Sequence, residues 1–118
     1  MIAPKLVRRM AAALPEVEDR SSETALSFYV GGKQFAWSWN ERVDPKKPRV
    51  PRLGVLVVRC DGAAKDAILA SDPAVFFTEP HFDGFPAVLV RLETVDRATL
   101  EGLLKAAWRT VAPKKRAG

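Results

Sequence analysis

Apolar residues first recur at helical spacing: Leu6, Val7, Met10, Ala11 and Leu14 fall on one side of a helix over residues 4–14, with Lys5, Arg8 and Arg9 on the other. Pro15 ends it, because proline drives the residue before it out of the α region. Residues 16–25 are polar without period and read as a connection. The pattern then changes to alternation. Strands are predicted from about Ala25 to Val30 and from Lys33 to Trp39, joined by Gly31-Gly32, a pair suited to a two-residue hairpin turn. A period of two places Phe35, Trp37 and Trp39 on one face as a continuous aromatic row.

Asn40 to Arg52 contains Pro45, Pro48 and Pro51, so it is expected to be neither helix nor central strand. Loops of this length in small domains are often functional. Leu53 to Cys60 is apolar on both alternating faces apart from Arg59, the pattern of a strand inside a sheet. Asp61 is placed to cap a helix that ends near Ser71 and turns Ala64, Ala67 and Ile68 inward. Asp72-Pro73 opens a short helical turn carrying Phe76 and Phe77, and Thr78 to Phe85 is dense in turn formers. Pro86 to Thr94 alternates as a half-exposed strand. The last helix is capped by Asp96 and closed by Pro113, and its buried stripe is Leu100, Leu103, Leu104, Ala107, Trp108 and Val111. The order helix, hairpin, strand, helix, strand, helix predicts an α+β two-layer sandwich, an antiparallel sheet with helices packed on one face.

A chain of 118 residues with 47% apolar and 28% charged positions fits one domain over 1–118, with 112–118 as a basic C-terminal tail. Burial of about two thirds of the unfolded surface makes such a domain stable without a metal or disulfide. The lone Cys60 cannot pair internally, which fits a reducing compartment. Lys5, Arg8 and Arg9 interrupt any signal core, and no run approaches the ~20 apolar residues of a membrane span. A cytoplasmic location without membrane contact is therefore expected, and a monomer is favoured.

The net charge of +5 is unevenly placed. Arg42, Lys46, Lys47, Arg49 and Arg52 face only Asp44 within one loop, Lys114, Lys115 and Arg116 crowd the tail, and the remainder is slightly acidic. Together with Lys33 these cations are the candidate phosphate contacts. The alternative is that loop and tail are solvated and their charge serves solubility. The aromatic row also has two readings. Under a helix layer it is core. On an open face beside Lys33, Arg42 and Lys47 it can stack on the bases of a single strand.

No glycine-rich strand-to-helix turn is present, which removes dinucleotide-binding and P-loop readings. His81, with Asp83 to orient it and Cys60 as nucleophile, is the residual catalytic combination; a histidine bonded to loop backbone and a cysteine in the core are the commoner fates. No catalytic constellation is assigned, and the chain is expected not to be an enzyme. One cysteine and one histidine do not make a zinc site, so neither metal nor cofactor is expected. A second functional reading is a protein-interaction or small-ligand module, built on the loop that carries His81, Phe82, Asp83 and Phe85.

Four strings in this order, Ala13-Leu-Pro-Glu16, Phe28-Tyr-Val-Gly-Gly-Lys-Gln-Phe-Ala36, Thr78-Glu-Pro-His-Phe-Asp-Gly-Phe-Pro-Ala87 and Ala106-Ala-Trp-Arg-Thr-Val-Ala-Pro-Lys114, resemble the MmcQ/YjbR family of small bacterial proteins. The resemblance spans nearly the whole chain. It implies a CyaY-like fold whose sheet is similar to a "double wing" DNA-binding arrangement, and a non-enzymatic DNA-binding role by fold analogy. The resemblance to a CyaY-like fold also implies an acidic iron-binding ridge on the first helix. That helix here carries Lys5, Arg8 and Arg9, and the acids Glu16, Glu18, Asp19 and Glu23 follow it with Arg20 among them, which weakens an iron reading.

Overall fold

In the computed structural model, which describes residues 1–113, α1 (Pro4–Ala12) starts on a proline, whose fixed φ suits the first helical position. Its Val7, Met10 and Ala11 are buried. Six strands follow: β1 (Glu18–Asp19), β2 (Ser27–Val30), β3 (Lys33–Glu41), β4 (Val50–Arg59), β5 (Phe76–Phe77) and β6 (Ala87–Arg91). Between β4 and β5 lies α2 (Lys65–Ser71), entered through a 3-10 turn at Gly62–Ala64, and α3 (Arg97–Val111) closes the described chain. The strands form one antiparallel sheet in the order β1-β2-β3-β4-β6-β5. Lys114, Lys115 and Arg116 of the predicted basic tail lie outside the described residues.

The predicted α+β architecture with helices on one face is the one observed. α1 and α3 send Val7, Met10, Ala11, Leu100, Leu104, Ala107 and Val111 into a core shared with Phe28, Val30, Leu56, Val58, Val88 and Val90 of the sheet. Each such side chain removed from water contributes about 1.5–3 kcal/mol before entropy is counted. In α2, Ile68 and Leu69 pack on this core, whereas Ala67, expected to face inward, is exposed. Trp108 lies partly buried at the layer edge, where its indole N–H donates to Pro15 O at 2.9 Å. Cys60 is core, as expected of a small apolar residue.

Four local predictions are corrected. Residues 16–25 are not merely a connection: Glu18 and Asp19 pair with Tyr29 and Phe28 and form the outer strand. Phe76 and Phe77 are not in a helical turn but in the opposite outer strand, because β6 offers Val90 and Leu89 as partners. β6 is buried at Ala87, Val88, Leu89 and Val90 rather than half-exposed, since it lies between two strands with helices on one face and a loop on the other. Finally, Val50-Pro51-Arg52 belongs to β4 and not to the loop. Pro51 falls where β4 has a partner strand on one side only, since β6 reaches β4 no further than Val55.

The aromatic row is also broken. Phe28 pairs with Ala36 and Tyr29 with Gln34, leaving Phe35 as an extra residue on β3. Such a bulge re-aims side chains. Phe35 turns into the helix-covered core with its ring 6.4 Å from that of Phe28, while Trp37 and Trp39 lie on the opposite face. A second irregularity follows: Ser38 pairs with Leu56 but Trp39 with Arg52, so Leu53 to Val55 have no counterpart on β3. Beyond it the β3–β4 hairpin continues as an arm through Asn40–Pro51 and Glu41–Val50, with the basic loop at its tip.

The start of α3 carries a pH-dependent element. Asp96 Oδ1 accepts the Thr99 backbone N–H at 2.7 Å, and Oδ2 accepts the Thr99 hydroxyl at 2.9 Å. These bonds, the backbone one foremost, hold the Asp96 carboxyl below its ordinary range. A depressed carboxylate contributes stability that is complete above its unfolded-state pKa and is lost as pH falls through the folded value. Asp96→Ser, which keeps a cap without a titrating group, is expected to lose less stability between pH 5 and pH 2 than the parent, as read from urea midpoints across that range. Identical acid profiles would refute the assignment.

Candidate functional site

Alternation along β4 and β6 places Val55, Val57 and Arg59, and Ala87, Leu89 and Arg91, on the face away from the helices. This face holds the second apolar cluster: Val57, Ala87, Leu89 and Phe82 are buried, with Trp37, Trp39, Val55 and Phe77 partly buried against them. Phe82 comes from the 3-10 turn Pro80–Phe82 in the loop between β5 and β6. Lys65 of α2 holds that loop, its ammonium donating to Phe82 O and Phe85 O, each at 2.7 Å. Charge-assisted bonds of this kind are stronger than neutral ones, so the loop is positioned rather than merely apposed.

Two similar assemblies stand side by side on this face. In the first, Trp37 meets Phe85 edge-on with centroids 6.4 Å apart, and the Arg59 guanidinium lies 5.0 Å from the Phe85 ring. In the second, Trp39 meets Phe77 edge-on at 5.5 Å, and the Arg91 guanidinium lies 4.1 Å over the Phe77 ring. The Trp39 indole N–H donates to Glu79 at 2.6 Å. Strands β4 and β6 lie between β3 and β5 in the sheet, a lateral span of roughly 14 Å at ordinary strand spacing. The Trp39 contact with Phe77 therefore needs the curl that the Leu53–Val55 irregularity introduces. Arg59 Nε is buried and has no hydrogen-bond partner among the described residues.

A pocket of about 240 Å³ opens between Trp37, Asn40, Arg49, His81, Phe82 and Phe85. It joins the two regions that the sequence reading kept apart. Arg49 comes from the basic loop and donates to Asn40 O at 2.9 Å, while His81, Phe82 and Phe85 come from the turn-rich loop. A broader groove of about 720 Å³ is bordered by Trp39, Arg52, Leu53, Val55 and Arg91 together with the acids Glu23, Glu41 and Glu93.

The other predicted residues are distributed as follows. Arg52 is paired with Glu41 at 2.7 Å across the arm, and Arg42 donates to Pro45 O at 3.3 Å. Lys46 and Lys47 are exposed at the tip and have no ion-pair partner among the described residues. Lys33 begins β3 at its far end, on the order of 30 Å from Arg42 along the strand, so it does not converge with the loop. Asp83 lines a different cavity with Lys65 and Asp66, away from His81. Among the described residues no hydrogen bond links His81, Asp83 and Cys60, and burial pushes the Cys60 thiol up, against thiolate formation. Two of the acids after α1 are engaged by cations: Asp19 with Arg8 and Glu18 with Arg20, both at 2.8 Å. Among the described residues no group of three or more His, Cys, Asp or Glu is placed to hold a metal ion.

Sequence reading overlooked Arg59, Arg91 and Phe77 as site residues. The available signal was an arginine closing each of the two apolar runs, Val55–Val58 and Ala87–Val90.

The architecture is that of a small α+β domain with an antiparallel sheet left free of helices on one face. Residues 12–110 match the YjbR family model, and the chain belongs to that family. It is 36% identical over 116 residues to the uncharacterised protein Rv2570 of Mycobacterium tuberculosis, and equally to the uncharacterised protein Mb2600 of Mycobacterium bovis; each match covers 92% of this chain and 88% of the relative. The crystal structure of Deinococcus radiodurans protein DR2400, a DUF419 domain, superposes with a TM-score of 0.67 at 19% identity, over 100% of this chain and 83% of that one. This likeness concerns the fold. No helix among the described residues is long and apolar enough to cross a membrane.

Proposed function

We propose that this YjbR-family protein is a nucleic-acid-binding module, using the basic β3–β4 arm to engage phosphates and the helix-free face beside it as the contact surface. The observation that carries this reading is the convergence of Arg49 from the arm with Trp37, His81 and Phe85 around one opening. Cations without acidic partners next to exposed aromatic surface are the features that phosphate-and-base recognition requires. Lys46 and Lys47 extend the positive surface outward along the arm. Phosphate contacts of this type position a protein without specifying sequence.

The test is the salt dependence of binding to DNA, measured by fluorescence anisotropy in duplex and single-stranded forms. Each phosphate contact contributes about 0.7–0.9 to the slope of log K against log salt, so replacing Lys46, Lys47 and Arg49 by glutamine together should flatten that slope by roughly 2–3. Lack of retention of either DNA form at low salt would overturn the reading. A small-ligand or protein-partner role for the loop around His81 is the competing interpretation, favoured by the same 240 Å³ pocket. It calls for binding that is insensitive to the Lys46 and Lys47 replacements.

A further inference from the structure

We infer that the helix-free face takes unpaired nucleotides of a single strand, seating successive bases on the two Trp–Phe–Arg assemblies, with one base entering the pocket beside Trp37. The inference rests on the nucleic-acid reading above and adds which form of nucleic acid is bound and which residues select it.

The duplication is the main ground. Trp37 with Phe85 and Arg59, and Trp39 with Phe77 and Arg91, repeat the same three side-chain types in similar relative geometry. The two tryptophans are two residues apart on one strand, roughly 6.6 Å at strand rise. Consecutive bases stacked in a duplex strand are about 3.4 Å apart. Seating neighbouring bases on Trp37 and Trp39 therefore requires them to unstack, which a single strand does readily and a duplex does not. Every base offers a π-face, so such platforms tolerate any sequence.

The pocket supplies the second ground. Its volume of about 240 Å³ is below the roughly 300–1,000 Å³ typical of sites for drug-sized ligands, and suits one planar ring. Its walls are aromatic at Trp37, Phe82, Phe85 and His81, and its polar members are Asn40 and Arg49. An exposed asparagine amide offers both donor and acceptor to a base edge. Arg49 spends one N–H on Asn40 O, leaving the rest of its fork for a phosphate oxygen. Charge complementarity selects the occupant. Arg49 lines the pocket and Arg59 lies over Phe85 of its wall, with no acid among the lining residues, whereas the groove at Trp39 is mixed, with Glu23, Glu41 and Glu93 beside Arg52 and Arg91, and Glu79 on the Trp39 indole. A cationic or neutral peptide would leave these guanidinium groups uncompensated. A strand carrying one phosphate per base matches them.

The experiment uses the full chain with three probes: a fifteen-residue oligothymidylate, the same sequence as a duplex with its complement, and free thymidine monophosphate. Tryptophan emission and anisotropy are read in parallel. The single strand should quench tryptophan emission and bind at least tenfold more tightly than the duplex, with the free nucleotide far weaker than either. Phe85→Ala, at a side chain already 36% exposed, should reduce single-strand affinity roughly five- to a hundredfold. Trp37→Leu, which keeps an apolar filler on the sheet, should remove the Trp37 share of the quenching and leave that of Trp39. Duplex binding as tight as single-strand binding, without quenching, overturns this inference and leaves the phosphate-contact function standing. Free nucleotide bound as tightly as the oligonucleotide overturns the strand as occupant and makes the pocket a nucleotide site. Absence of binding by all three overturns both readings.

Discussion

Alanine at Phe35 is expected to cost about 3–5 kcal/mol of folding stability, the range for a large aromatic removed from a closed core. Alanine at Trp37, two residues along the same strand, should cost less, roughly 2 kcal/mol, because partial exposure forfeits only part of that burial. The difference follows from the bulge on β3. Phe35 has no exposed surface and lies against Phe28 beneath α3. Trp37 is half-buried on the other face, beside the exposed ring of Phe85. Urea denaturation provides the measurement, with the change in midpoint converted at constant slope. Equal costs would mean that both rings share one environment, as strict alternation predicts, and that the bulge does not exist in solution.

Gly31→Ala should be the more damaging of the two turn-glycine replacements, by about 1–2 kcal/mol over Gly32→Ala. Both glycines have positive φ, +58° and +79°, which L-residues enter at about 1–2 kcal/mol. That cost is common to the pair. Only at Gly31 would a methyl group also meet another element, 2.6 and 2.7 Å from Cγ and Cδ of Pro113, whereas at Gly32 nothing lies within 4 Å. The hairpin turn and Pro113, two residues beyond the end of α3, are thereby docked onto each other. Thermal unfolding should show Gly31→Ala lowered by on the order of 10 °C and Gly32→Ala by about half as much. Adding Pro113→Ala to the Gly31 variant should recover most of the difference. Indistinguishable melting temperatures for the two single variants would sink the docking interpretation.

Much of the fold was legible because it depends on local periodicity. The helix over Pro4–Ala12, the Gly31-Gly32 hairpin, the interior strand ending at Arg59 and the Asp96-capped last helix each carry their own signal in spacing, turn residues or caps. The two outer strands were not legible. Glu18–Asp19 and Phe76–Phe77 are two residues long, too short for alternation to register, and exist because a neighbouring strand offers its free backbone edge. The candidate site was legible in pieces. Arg49 was marked by charge and His81, Phe82 and Phe85 by turn chemistry, but nothing in the sequence joined them, since some thirty residues of chain separate the two loops.

By itself, the sequence determined the α+β class, the helix-covered core, the glycine turn and the presence of a basic, proline-rich loop, because each rests on residues close together in the chain. The tertiary structure alone decided which face each aromatic serves and what it meets there. One extra residue at Phe35 shifts the alternation, sending Phe35 to the core and Trp37 and Trp39 to the open face, where arginines from two other strands and phenylalanines from β5 and a distant loop complete the assemblies. A bulge leaves no periodic mark in a single strand; it is a mismatch between two strands, and it is fixed only when both are paired.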